Sequence, residues 1–204
     1  MVEIRNFHYL NEETIDNDYS QVIGHVVEEI IKKKSKETEV AGKGKVSLAG
    51  ILKYLGIDVD VEAGIKHNRS DGDEVKQKLI APNKLKIIEA ALEHENQLTK
   101  LDLDSIDEET FVGKLTDSKF YLLTGTYDMS DELKENRNYV VLRKPLKTWA
   151  VLIPCNAMHM KSYRAPDFVK RMKFSIFCAY LGTYGPESGE PMKRQVFHPR
   201  AVWN

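Results

Sequence analysis

The chain has 204 residues and a mass of 23.4 kDa, which suits one large domain or two small ones and is enough to bury a core without disulfides. Hydrophobic residues make up 42% of the chain and charged residues 30%, with a formal net charge of -1. This composition excludes a wholly basic nucleic-acid tail and a membrane-spanning chain. The small net charge hides an opposition: residues 1–140 carry 19 Lys and Arg against 28 Asp and Glu, whereas residues 141–204 carry 11 against 3.

The amino-terminal residues and the lack of a long apolar stretch predict a cytoplasmic protein. The first residues include acidic side chains and lack the apolar run and small-residue cleavage site of a signal peptide. No stretch approaches the roughly 18 apolar residues that a membrane-spanning helix needs. Cys155 and Cys178 lack CxxC spacing and lie in apolar segments, which predicts two buried free thiols.

Two helices are predicted in the first half of the chain. Residues 12–34 carry apolar side chains at steps of three and four, with Asn11 as a candidate cap. A second helix begins at Pro82 and Asn83 and ends near Gln97. Its apolar face consists of Leu85, Ile88, Ala91 and Leu92.

Most of the remaining pattern predicts strands. Residues 46–66 alternate with a period of two, most clearly at 57–62, and residues 75–81 can return as the partner strand. Further along, β-branched and aromatic residues predict strands at 111–115, 119–129, 138–144, 148–154 and 173–184, and a short helix at 166–172.

These elements together predict an α+β fold. A long amino-terminal helix and a second helix pack on an antiparallel sheet, and a β-rich carboxyl-terminal part follows. Residues 1–137 form an acidic helix-and-sheet portion and residues 138–204 a basic aromatic portion, either as two domains or as parts of one.

The basic carboxyl-terminal third is the candidate binding region. Residues 141–204 hold nine of the 18 aromatic side chains, interleaved with the 11 basic ones. Cations neutralise phosphates and aromatic rings stack on bases, so this mixture predicts a non-catalytic binding protein for a nucleotide or single-stranded nucleic acid. The predicted ligand-binding residues are Arg143, Lys144, Trp149, Tyr163, Arg164, Lys170, Arg171, Lys193 and Arg194.

Two alternatives remain open at this point. The basic segment can instead dock on the acidic segment of the same chain or of a second copy, which predicts a structural homo-oligomer. Alternatively, His159 and His198 can act as general base and acid in a metal-independent nuclease or cyclic-nucleotide phosphodiesterase. No cofactor or metal site is predicted, because Ile106 and Asp107 stand where a calcium loop around Asp102 needs an oxygen ligand and a glycine.

The first half of the chain resembles a family of uncharacterised bacterial cytoplasmic proteins. The resemblance rests on Tyr9-Leu10-Asn11, Ser20-Gln21 and Gly24, continues to about residue 100, and includes a later Leu123-Thr124-Gly125 step. It implies a short strand and a turn before the first helix, and a bacterial or phage cytoplasmic origin. It supplies no activity and no site.

Overall fold

The computed structural model describes residues 5–37, 46–57, 65–66, 78–115, 120–130, 138–161, 172–185 and 193–204. The chain divides into two compact units, Glu13–Asn96 and Met1–Glu12 with Gln97–Asn204. We refer to the first as the helical unit and to the second as the barrel unit. The charge boundary at residues 137 and 138 falls inside the barrel unit, so it is not a boundary between the two units.

Three helices and a two-stranded hairpin make up the described part of the helical unit. They are α1 (Glu12–Glu37), α2 (Leu48–Tyr54), α3 (Ala81–His94), β2 (Ile65–Lys66) and β3 (Lys78–Leu79). Val26 and Ile30 of α1 pack with Ile51 of α2 and Ala91 of α3. Both helices predicted from the sequence are therefore confirmed, and the four predicted core residues of α3 are buried.

The prediction of a strand over residues 46–66 is wrong for residues 48–54, which form α2. Ser47 caps this helix by accepting a hydrogen bond from the Gly50 amide at 3.2 Å. Leu48, Ile51 and Leu52 also follow helical spacing, and this local pattern outweighs the alternation further on. Residues 58–64 lie outside the described residues, and the predicted strand pairing is present as the antiparallel β2 and β3.

Seven strands form the sheet of the barrel unit, and five of them close into a ring. In chain order they are β1 (Phe7–Leu10), β4 (Leu98–Asp102), β5 (Phe120–Ser130), β6 (Tyr139–Pro145), β7 (Trp149–Asn156), β8 (Met172–Tyr184) and β9 (Lys193–Trp203). The ring runs β5, β6, β7, β9, β8 and back to β5. β4 is parallel to β5, and β1 is antiparallel to β9.

The α+β class is confirmed, but the sheet is mixed and not antiparallel throughout. β7 and β9 are parallel, as are β4 and β5. The predicted strands at 119–129, 138–144, 148–154 and 173–184 are confirmed as β5 to β8, while β4 and β9 were not predicted. The predicted strand at 111–115 is wrong, because residues 108–113 form a short helix, α4 (Glu108–Gly113). Asp107 caps α4 through the Thr110 amide at 2.8 Å, with Glu108 and Glu109 in its first turn.

Alternate residues of each ring strand fill the barrel interior. Leu142, Val151 and Ile153 belong to one large core cluster, which also takes Phe111 from α4. The residues between them point outward, where Val141, Ala150 and Leu152 form a separate cluster. This alternation decides which side chains can meet a ligand outside the barrel.

An ion pair joins an acidic and a basic segment of the barrel unit. Residues 97–137 contain ten Asp and Glu against five Lys and Arg, whereas residues 138–204 contain three against 11. The Lys144 ammonium pairs with Asp104, which also accepts hydrogen bonds from the Thr126 amide at 3.0 Å and its hydroxyl at 2.9 Å. Burial alone would raise the pKa of the Asp104 carboxyl, but the bonds from Lys144 and Thr126 outweigh it and lower the pKa from 3.8 to about 2.

We expect Asp104→Asn to destabilise the protein in a pH-dependent way. A carboxyl whose pKa is lower in the folded state stabilises the fold above its unfolded pKa, and that stabilisation is lost as pH falls from about 5 to about 2. Because the carboxylate is partly exposed, we expect a loss of roughly 1 kcal/mol at pH 7 that vanishes near pH 2. Urea unfolding across this pH range measures the loss in unfolding free energy. A double-mutant cycle with Lys144→Met isolates the part that comes from the Asp104–Lys144 pair. A loss that is the same at every pH would show that the ion pair is not its cause.

Candidate functional site

The nine residues predicted to bind a ligand fall into three groups. Tyr163, Arg164, Lys170 and Arg171 lie outside the described residues. Arg143 and Lys144 lie on β6, where both face carboxylates of the same unit. The third group, Trp149, Lys193 and Arg194, lies where β7 and β9 begin side by side.

The two basic residues of β6 have acidic neighbours within the chain. Lys144 pairs with Asp104, and its side chain is only 17% exposed. Arg143 points outward, directly opposite Asp128 of β5 in the antiparallel register. These positions favour the docking alternative for Lys144, and they make Arg143 a weaker candidate for an external phosphate. Whether copies of the chain associate through similar pairs stays a prediction.

Trp149 and Lys193 are the first residues of two parallel strands and are direct partners in their register. The Lys193 ammonium lies over the indole of Trp149, 5.0 Å from the ring centroid. Lys193 is exposed and Trp149 is half-buried. A cation held over an aromatic ring keeps its remaining donors available to an anion.

Arg194 lies next to an aromatic residue of the neighbouring strand β8. It lies opposite Tyr184, the last residue of β8, whose side chain is 54% exposed. Side chains at directly opposite positions on antiparallel strands have Cβ atoms about 5 Å apart. We call Trp149, Tyr184, Lys193 and Arg194 the aromatic-basic rim of the barrel.

A hydrogen-bonded group behind the rim fixes the start of β9. The buried Gln195 accepts hydrogen bonds through Oε1 from the Tyr180 hydroxyl at 2.5 Å and the Thr183 hydroxyl at 2.9 Å. A bulge precedes Thr183, where Gly182 has a φ of 138°, a conformation that favours glycine. The bulge turns Tyr184 to the same face as Arg194.

Tyr184 is one of the nine aromatic residues of the basic third but is not among the predicted ligand contacts. Its significance depends on its pairing with Arg194, and β9 was not predicted as a strand. The available signal was the position of Tyr184 at the end of an apolar segment, just before Gly185. That position alone indicates only that a strand ends there, and it does not mark Tyr184 as a ligand contact.

The centre of the outer β6–β7–β9 face is apolar and buried. Val141, Ala150 and Leu152 are 2%, 1% and 8% exposed, and Val196 packs against them. An external ligand therefore meets the rim more readily than this centre.

A cleft of about 500 Å³ lies beside the rim and within the barrel unit. The described residues that line it are Asp107, Glu108, Glu109, Val112, Lys147 and Trp149. Glu108 accepts hydrogen bonds from the Thr148 amide, at 2.8 Å, and from the Thr148 hydroxyl. Burial opposes ionisation of Glu108, but the bonds from Thr148 outweigh it and lower its pKa. The bonds from Thr110 likewise lower the pKa of Asp107, so both carboxylates are ionised at neutral pH.

The two candidate catalytic histidines have different surroundings. The ring of His159 packs edge-on against Tyr9, with centroids 6.0 Å apart. Nδ1 of His198 faces the Arg200 guanidinium.

The predicted buried thiols are confirmed, since Cys155 and Cys178 are 1% and 0% exposed. Within the described part of the chain, no group of three or more His, Cys, Asp or Glu is placed to hold a metal ion.

The chain belongs to a family defined as a domain of unknown function, DUF6414, whose model matches residues 4–131. This confirms the expectation of an uncharacterised family, and the match ends just after β5, before the rim residues. No curated protein matches the chain. A solved structure from Leishmania major Friedlin, described as a "putative aspartyl-tRNA synthetase", is 9% identical over 59% of this chain, with a TM-score of 0.27. The chain corresponds to 26% of that protein's length. None of the helices that the structure describes is long and apolar enough to cross a membrane.

We expect neither thiol to react in the folded protein. Burial raises the pKa of Cys155 and, as the main cause, that of Cys178, so neither forms the reactive thiolate at neutral pH. Labelling with a thiol-reactive disulfide at pH 7.5 should give no product in minutes and two equivalents after unfolding in guanidinium. Rapid labelling of Cys155 in the folded protein would make it a candidate nucleophile.

Proposed function

We propose that the barrel unit is a non-catalytic binding module for single-stranded nucleic acid, with a nucleotide as its smallest ligand. The observation that carries this proposal is that two aromatic and two basic residues lie together at one end of the barrel. Trp149 pairs with Lys193, and Tyr184 lies opposite Arg194. Three of these four residues were selected from the sequence alone.

The strand order of the ring supports the proposal. Numbered along the ring's own strands, the order is 1-2-3-5-4-1 with strands 3 and 5 parallel, which matches the oligonucleotide-binding (OB) barrel. Such barrels bind oligonucleotides or oligosaccharides through strands 2 and 3 and the loops that follow strands 1 and 4. The second of these loops begins after Tyr184 and ends at Lys193. Because a fold does not define a function, the rim side chains carry more weight than the strand order.

The chemistry of the rim suits a single strand. A base can stack on an aromatic ring only when it is not enclosed in a duplex, and each such stack contributes about 1–3 kcal/mol. Lys193 and Arg194 are adjacent in the chain but point to opposite faces of β9, so they can contact successive phosphates around the strand end. Stacking on Tyr184 needs no particular base, so the proposed site tolerates many sequences. The cytoplasmic location predicted from the sequence is part of this proposal.

Replacing Tyr184 and Arg194 tests the rim directly. We expect Tyr184→Ala and Arg194→Ala each to weaken binding of fluorescent 12-nucleotide oligothymidine and oligouridine roughly tenfold at low salt, because each removes one stack or one phosphate contact. Arg194→Ala should also reduce the slope of log affinity against log salt by about 0.7. Fluorescence anisotropy measures both quantities.

Lys173→Ala is the matched control for the change in charge. Lys173 is an exposed residue at the other end of β8, so its loss removes one positive charge far from the rim. We expect its effect on affinity to be less than twofold. Absence of binding to either oligonucleotide at low salt, or equal losses in all three variants, would contradict the proposal.

A further inference from the structure

The cleft beside the rim has the size and lining of a second ligand site. Its volume of about 500 Å³ lies within the range of about 300–1,000 Å³ that is common for small-ligand pockets. Three carboxylates, one ammonium, one indole and one aliphatic side chain line it. The described residues of the lining therefore carry a net negative charge, which opposes a phosphate and favours a cation.

One carboxylate of the cleft is available to a ligand. Asp107 accepts hydrogen bonds from the Thr110 amide at 2.8 Å and its hydroxyl at 2.6 Å, and Glu108 is held by Thr148. These two residues fix the shape of the cleft and keep its charge negative. The Glu109 side chain is exposed and forms no hydrogen bond or ion pair with any residue that the structure describes.

The indole of Trp149 forms an aromatic wall of the same cleft. Lys193 lies over the Trp149 ring but is not among the described residues that line the cleft. An indole next to a carboxylate suits a planar cation that can stack and form two parallel hydrogen bonds at once.

We propose that this cleft binds the guanidinium of an arginine side chain from a partner polypeptide, stacked on Trp149 and paired with Glu109. Guanidinium matches both groups better than an ammonium does, because it is planar, stacks on aromatic faces and binds carboxylates in bidentate fashion. This site shares Trp149 with the proposed nucleic-acid site, but its carboxylate is Glu109 and its occupancy does not require nucleic acid.

Lys147 opposes the proposed ligand. Its side chain is exposed and has no ion-pair partner within the described part of the chain, so its ammonium competes with an incoming cation for Glu109. Removing this charge should therefore tighten binding of arginine and weaken binding of an anion. Replacing Lys147 therefore changes the affinity for an arginine ligand and for an anion in opposite directions.

Titration of the full chain with acetyl-Gly-Arg-Gly-amide tests the proposal. The indole N–H signal of Trp149 in the proton–nitrogen NMR spectrum, assigned with Trp149→Phe, should shift with this peptide and not with its citrulline analogue. We expect Glu109→Gln to weaken binding about fivefold and Lys147→Gln to tighten it about twofold. Glu28→Gln, a charge change at an exposed site on α1, should leave it unchanged.

Four outcomes would overturn the proposal. They are equal binding of the citrulline peptide, equal binding of the lysine analogue, no shift of the Trp149 signal, and inorganic phosphate binding that Glu109→Gln strengthens and Lys147→Gln weakens. The dispersion of each variant's spectrum shows whether it is folded. Because oligonucleotide binding is measured separately through Tyr184 and Arg194, failure of either proposal can be told apart from failure of the other.

Discussion

Strand β9 is the element on which the rest of the barrel unit depends. One of its edges pairs with β8 along almost its whole length, and its other edge pairs with β7 at its start and with β1 at its end. The parallel pairing with β7 closes the ring, because among the described residues the pairing of β5 with β8 is the only other strand pairing that joins the β5–β6–β7 meander to the β8–β9 hairpin. The same pairing places Lys193 beside Trp149, while the pairing with β8 places Arg194 opposite Tyr184. Barrel closure and assembly of the rim are thus one structural event.

The sequence predicted the strands that follow a regular alternation and missed those that do not. β5 to β8 are rich in β-branched and aromatic residues and were predicted nearly to their ends. β9 contains Gln195 and Phe197 facing inward, and then a bulge at Arg200 shifts the alternation by one residue. Pro199, which cannot donate to the ladder, further weakens the pattern. β9 could not be predicted from its own residues, because its pairing with β1, β7 and β8 defines it more than any alternation of apolar and polar side chains.

The candidate site was predictable in composition but not in arrangement. Counting charges and rings selected Trp149, Lys193 and Arg194, which the fold brings together. It also selected Lys144, which an acidic neighbour 40 residues earlier in the chain holds in an ion pair. The positions of such neighbours depend on the parallel pairing of β4 with β5 and on the turn that follows β4, and neither leaves a signal in the charge pattern. The opposition between the acidic and basic segments is therefore partly internal, as the Lys144–Asp104 pair shows.

Trp149 stands between two surroundings of opposite charge. The Lys193 ammonium lies over its ring, and the described residues that line the neighbouring cleft carry three carboxylates against one ammonium. A cation in the cleft and the Lys193 ammonium would repel each other across the same ring, and a phosphate bound to Lys193 would reduce that repulsion. By linkage, a nucleic acid at the rim and an arginine in the cleft would each strengthen the binding of the other. The two proposals together therefore predict that nucleic acid and a basic polypeptide each bind this region more tightly when the other is bound.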